Sequence, residues 1–114
     1  MTHRFGLNEK TIQQICGVFA NYPQVNKAIL YGSRAKGYYK TGSDIDLTLC
    51  GEVELTLGIL YKIMDELDEL LLPYTIDLSV FTQINDPEVI DHIRRVGITF
   101  YEAQAGKPPA MQVK

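Results

Sequence analysis

The sequence predicts an α/β fold, a small mixed β-sheet with helices packed mainly on one face. Three observations carry this expectation. Asp44–Cys50 (DIDLTLC) and Thr75–Phe81 (TIDLSVF) alternate apolar and polar residues, the period of a strand with one buried face. Leu55–Leu72 and the stretch between Asn8 and Tyr22 repeat apolar residues at helical spacing. The two kinds of segment interleave in the order α-β-(α)-β-α-β-α-(β), which layered α/β domains share.

Each element has a local cause. Asn8 suits the N-cap of a first helix whose stripe is Ile12, Ile15, Cys16 and Phe19. Tyr22-Pro23 ends that helix. Lys27–Tyr31 (KAILY) is short, apolar and followed by Gly32, and so reads as a strand. Ser33–Gly37 reads as one helical turn and Tyr38–Ser43 as a turn region. In the next strand Ile45, Leu47 and Leu49 point one way, and Asp44, Asp46, Thr48 and Cys50 the other. The long helix carries Ile59, Leu60, Ile63, Met64, Leu67, Leu70 and Leu71, with Asp65, Glu66, Asp68 and Glu69 mostly off that stripe. Pro73 stops it. In Thr75–Phe81 the apolar Ile76, Leu78 and Val80 oppose Asp77, Ser79 and Phe81. Asp86 caps a last helix that begins with Pro87, and Ile98–Tyr101 is a final extended piece.

The 114 residues suit one domain over 1–114, with a core over about 8–103 and a frayed tail from about 104. Met1–Gly6 also reads as loose. Hydrophobic residues make up 46% and charged residues 22%, which excludes general disorder and a disulfide scaffold. The net charge of −3 argues against a non-specific nucleic-acid coat or a polybasic membrane binder. Cys16 and Cys50 lack metal-ligand spacing and read as thiols in a reducing compartment. No apolar run approaches the roughly 20 residues of a membrane span, so a cytoplasmic setting is expected.

The informative segment is Gly32-Ser33-Arg34-Ala35-Lys36-Gly37 followed by Ser43-Asp44-Ile45-Asp46-Leu47. A strand ends at a glycine and a short helix starts at a serine. Backbone N–H groups there, a hydroxyl on Ser33, and positive charge on Arg34 and Lys36 suit a phosphate chain. A P-loop is excluded, because Tyr38-Tyr39 stands where Lys-Ser/Thr is required. Asp44 and Asp46 sit two residues apart on a strand and share a face. Like charges at that distance repel, and a divalent cation such as Mg²⁺ relieves them. Asp77 joins them if its strand pairs alongside. Three carboxylates beside a phosphate loop are the layout of a two-metal phosphoryl-transfer site.

The combination GSRAKG–x₅–SDIDL, with a later apolar strand holding one Asp, resembles the polymerase-beta-like nucleotidyltransferase superfamily. It is similar to the smallest members, the minimal nucleotidyltransferases, and looks like the antitoxin half of HEPN/minimal-nucleotidyltransferase toxin–antitoxin pairs. The order of elements from about Asn8 to Tyr101 agrees. The resemblance implies that Gly32 and Ser33 hold the nucleotide's phosphates. It implies that Asp44 and Asp46 are paired metal ligands, and that Asp77 is the third carboxylate, serving the catalytic metal and the acceptor hydroxyl. Arg34 and Lys36 fall at positions often basic in small members, and Ser43 is placed to orient the loop before Asp44.

The resemblance further implies Mg²⁺, as two ions, with ATP as nucleotide donor. The expected reaction is transfer of AMP to a tyrosine hydroxyl of a HEPN-type RNase toxin, in a hetero-oligomer. A small hydroxylated acceptor, or a non-catalytic module that binds nucleotide or occludes a toxin, are the alternatives. His3 and His92 lack partners at ligand spacing. Tyr38 and Tyr39 read as loop packing, with base stacking second. Arg94-Arg95 reads as a solvated helix end.

Overall fold

The computed structural model describes residues 3–40, 42–51 and 55–103. The expected C-terminal tail lies outside them. A short hairpin comes first, β1 (His3–Arg4) and β2 (Leu7–Asn8), turning through Phe5 and Gly6 in left-handed conformations. Then follow α1 (Glu9–Ala20), β3 (Val25–Tyr31), α2 (Gly32–Lys36), β4 (Ile45–Gly51), α3 (Leu57–Glu69), β5 (Ile76–Val80), a 3₁₀ turn (Phe81–Gln83), α4 (Pro87–Val96) and β6 (Ile98–Glu102).

The four long strands form one mixed sheet in the order β5-β4-β3-β6. β4 and β5 run parallel, joined through α3, because a parallel pair needs a crossover rather than a tight turn. β3 is antiparallel to both β4 and β6. α1 and α3 cover the apolar face together. Ile15 and Phe19 of α1 and Ile63 of α3 are fully buried in one cluster with Leu30, Leu47 and Leu49 of the sheet. Thr56 caps α3 and Asn8 caps α1, each accepting from a first-turn N–H. α4 packs instead beside β3 and α2. No helix among the described residues is long and apolar enough to cross a membrane.

The N-terminal segment departs from expectation. Residues 3–6 are not loose, and the core begins before residue 8. Leu7 is fully buried, and the Phe5 ring tilts onto Phe100 at 6.0 Å between centroids. Six residues with a two-residue turn are too few to show a period, so composition alone hid the hairpin.

Candidate active site

Strand register assembles the site. Asp46 of β4 is paired with Tyr31 of β3 on one side and with Asp77 of β5 on the other. The three side chains thus form a row across the sheet, on the face away from α1 and α3. Thr48 and Ser79 form the next row, with the Ser79 hydroxyl donating to Thr48 Oγ1 at 2.9 Å. Asp44 stands just outside the strand, exposed, one step beyond Ile45.

The carboxylates feel one another. Asp46 titrates above the usual carboxylate range, first because it is partly buried, then because Asp77 and Asp44 repel its charge. Among the described residues no three Asp, Glu, His or Cys side chains converge closely enough to hold a metal ion alone. The like charges of Asp44, Asp46 and Asp77, all hard oxygen donors, supply the need for a cation.

The chain then turns from β3 into α2 at Gly32, whose φ is +76°. A Cβ at this position would run into Asp46 Oδ2 and lie 3.2 Å from Asp46 Cγ. Glycine is required twice over, by the left-handed backbone and by the approach of a carboxylate to main chain. The start of α2 at Gly32 therefore sits directly against Asp46. Gly37 ends α2 in a left-handed C-cap.

Arg34 corrects an expectation. It does not reach toward a phosphate but lies 3% exposed beneath the loop. Its Nε and Nη2 donate to the Ser43 carbonyl at 3.1 and 2.7 Å, and its Nη1 donates to the Phe5 carbonyl at 2.8 Å. Tyr39 and Tyr74 face its guanidinium at 5.4 and 5.1 Å. The carbonyls satisfy a buried cation more fully than one exposed anion would, so the guanidinium ties the N-terminal hairpin, α2 and the loop before Asp44 together. Ser43 orients that loop. Its Oγ accepts from Lys40 N at 2.7 Å, while its carbonyl takes Arg34. Lys36 stays exposed, its Nζ 5.8 Å from the Tyr38 ring. Tyr39 packs on Arg34, and Tyr38 is 77% exposed.

Tyr31 joins the site, as does His92, which has no partner at ligand spacing in the sequence. The Tyr31 hydroxyl meets the Ser79 side chain, and burial pushes its pKa up, with Asp77 and Asp46 adding to the rise. Its place beside Asp46 follows from register, which a single strand does not show. His92 arrives from a helix distant in sequence.

The fold and the carboxylate row beside the glycine-serine turn are now in place, and the family follows. The family model "Polymerase beta, Nucleotidyltransferase" matches residues 13–105, and the chain belongs to that family. A search of curated proteins gave no match. Among solved structures, a toxin–antitoxin complex with AMP-PNP matches with a TM-score of 0.64 at 21% identity, over 86% of this chain and 76% of the other. The tri-AMPylated Shewanella oneidensis HEPN toxin in complex with its minimal nucleotidyltransferase antitoxin matches with a TM-score of 0.61 at 16% identity, over 83% and 72%. A MntA–HepT toxin–antitoxin complex matches with 0.61 at 15% identity, over 84% and 74%. These likenesses establish the same fold.

Proposed function

We propose that this chain transfers AMP from ATP to a tyrosine hydroxyl of a HEPN-type RNase toxin and thereby acts as its antitoxin. The observation that carries the reading is the contact between Gly32 and the Asp46 carboxylate. It sets the start of α2, an anion-binding turn, against a row of acids on one sheet face. The structures it resembles hold an ATP analogue in one case and an AMPylated toxin in another.

Gly32 and Ser33 cradle the donor's phosphates. Asp44, Asp46 and Asp77 would hold Mg²⁺, which when bound neutralises phosphate charge and eases departure of pyrophosphate. Asp77 lies on the outermost strand, β5, and is exposed, so it faces an incoming acceptor and takes its proton. The acceptor oxygen bonds to the α-phosphorus. The bond from that phosphorus to the bridging oxygen breaks, and its electron pair leaves with pyrophosphate. Arg34 and Ser43 keep the loop before Asp44 in register with this centre. The described elements serve the sheet and its cover, and none of them wraps an acceptor, which favours one delivered by a partner protein. Cys16 and Cys50 are free thiols, in keeping with a cytoplasmic setting.

The test is capture of the native chain's partner, followed by incubation with MgATP labelled at either the α- or the γ-phosphate. AMP transfer places only the α label on the partner. Label arriving from the γ position would instead mean phosphoryl transfer and would overturn the reading.

A further inference from the structure

His92 lies on α4, 60 residues from the phosphate turn in sequence, yet its Nε2 accepts a hydrogen bond from Gly32 N at 3.2 Å. Its ring also stands edge-on to Tyr31, at 6.1 Å and 79°. Three features hold it there. Asp86 caps α4 and Pro87 opens it, Ile93 is buried beside His92, and α4 ends at Gly97. A Cβ at Gly97 would lie 2.7 Å from Ile29 Cγ2 on β3, so the glycine lets the helix end close onto the sheet. The imidazole is thus a fixed strut between α4 and the turn.

The bond has a chemical consequence. An imidazole nitrogen that accepts must be unprotonated, so His92 carries its proton on Nδ1. The Gly32 amide is thereby turned toward α4. The peptide is planar, so the Tyr31 carbonyl is fixed with it.

We propose that His92 is a positioning residue for donor binding: by holding the Gly32 amide it sets the phosphate turn in its receptive conformation against Asp46. The inference rests on the donor site proposed above. His92 touches neither phosphate nor the reacting atoms; it acts through Gly32.

Two substitutions separate the hydrogen bond from ring packing. His92→Phe keeps a ring against Tyr31 but offers no acceptor. His92→Gln offers a carbonyl oxygen at similar reach. Without nucleotide, Gly32 amide exchange measured by NMR should quicken about 10-fold in His92→Phe and return to within about 3-fold of wild type in His92→Gln, in line with loss and regain of one hydrogen bond. The KM for MgATP should follow the same pattern, with kcat changed less than about 3-fold, since the chemistry is not touched. In wild type, ¹⁵N shifts of the imidazole should show Nδ1 protonated and Nε2 bare. A bare Nδ1 in wild type overturns the inference without any variant. So does a His92→Phe protein that binds MgATP normally, or a His92→Gln protein as impaired as His92→Phe. Failure of wild type to bind MgATP at all would overturn the donor reading and this inference with it, whereas a normal His92→Phe overturns this inference alone.

Discussion

Gly32 and Gly37 bracket the same short helix, and replacing each by alanine separates backbone strain from site geometry. Both glycines are left-handed, at φ +76° and +86°. An alanine at either position therefore costs about 1–2 kcal/mol of stability. At roughly 4 °C per kcal/mol, both variants should melt several degrees below wild type. Their surroundings differ. A Cβ on Gly37 meets nothing within 4 Å, whereas one on Gly32 runs into Asp46 Oδ2 and lies 3.2 Å from Asp46 Cγ. The carboxylate must swing by on the order of 1 Å to regain ordinary contact. A displacement of that size costs about 100-fold in rate, or about 2.7 kcal/mol in the barrier. Pyrophosphate release with wild-type partner and MgATP, beside melting curves, reads both effects. Gly32→Ala should lose about 100-fold in rate, and Gly37→Ala should stay within about 3-fold while losing stability. Equal rates in the two variants would refute the placement of Asp46 against the turn.

Three further outcomes are expected. Arg34→Lys cannot span the carbonyls of Phe5 and Ser43 while lying between Tyr39 and Tyr74, so urea unfolding should show a loss of roughly 2–4 kcal/mol. A loss under about 0.5 kcal/mol would contradict the clamp. Asp46 binds its proton more tightly folded than unfolded, so its contribution to stability is full below the unfolded value of 3.8 and is lost as pH rises through the raised folded one. Asp46→Asn should therefore raise the melting temperature at about pH 7 but not at about pH 3, while abolishing transfer; an equal gain at both would deny that the fold raises the Asp46 pKa. Tyr22 donates to Glu66, which pushes the phenol up to about 12. Its stabilisation is whole below the ordinary phenol value and disappears as pH rises through about 12, so Tyr22→Phe should lose about 1 kcal/mol near neutrality and flatten the alkaline limb of stability. An unchanged alkaline limb would remove that bond from the account.

The parts legible in the sequence were those written in local periods. Ile45, Leu47 and Leu49 alternate with Asp46 and Thr48, and the structure buries them on one face. The stripe of Ile12, Ile15 and Phe19 gave the inner side of α1. Gly32 and the acids at 44 and 46 were legible as a pattern, and the structure brings Gly32 against Asp46. What was hidden depends on contacts between distant segments. Arg34 looked like an exposed cation because nothing near it in sequence shows the Phe5 and Ser43 carbonyls that surround it. Tyr31 gained its place from pairing with Asp46, and His92 from the way α4 folds back to Gly32. A histidine with no neighbour at ligand spacing gives no sign that its partner is a backbone amide.

In the proposed function, the acid row and the glycine-serine turn together move AMP onto a partner. Intact-mass spectrometry of a HEPN-type partner, incubated with this chain and MgATP, addresses it most directly. Increments of about 329 Da, one AMP residue each, are expected on a partner tyrosine. They should accompany loss of the partner's RNase activity and should be absent with Asp44→Asn, Asp46→Asn or Asp77→Asn. A partner that keeps its native mass while its RNase is blocked by binding alone would contradict the account and leave an occluding module in its place.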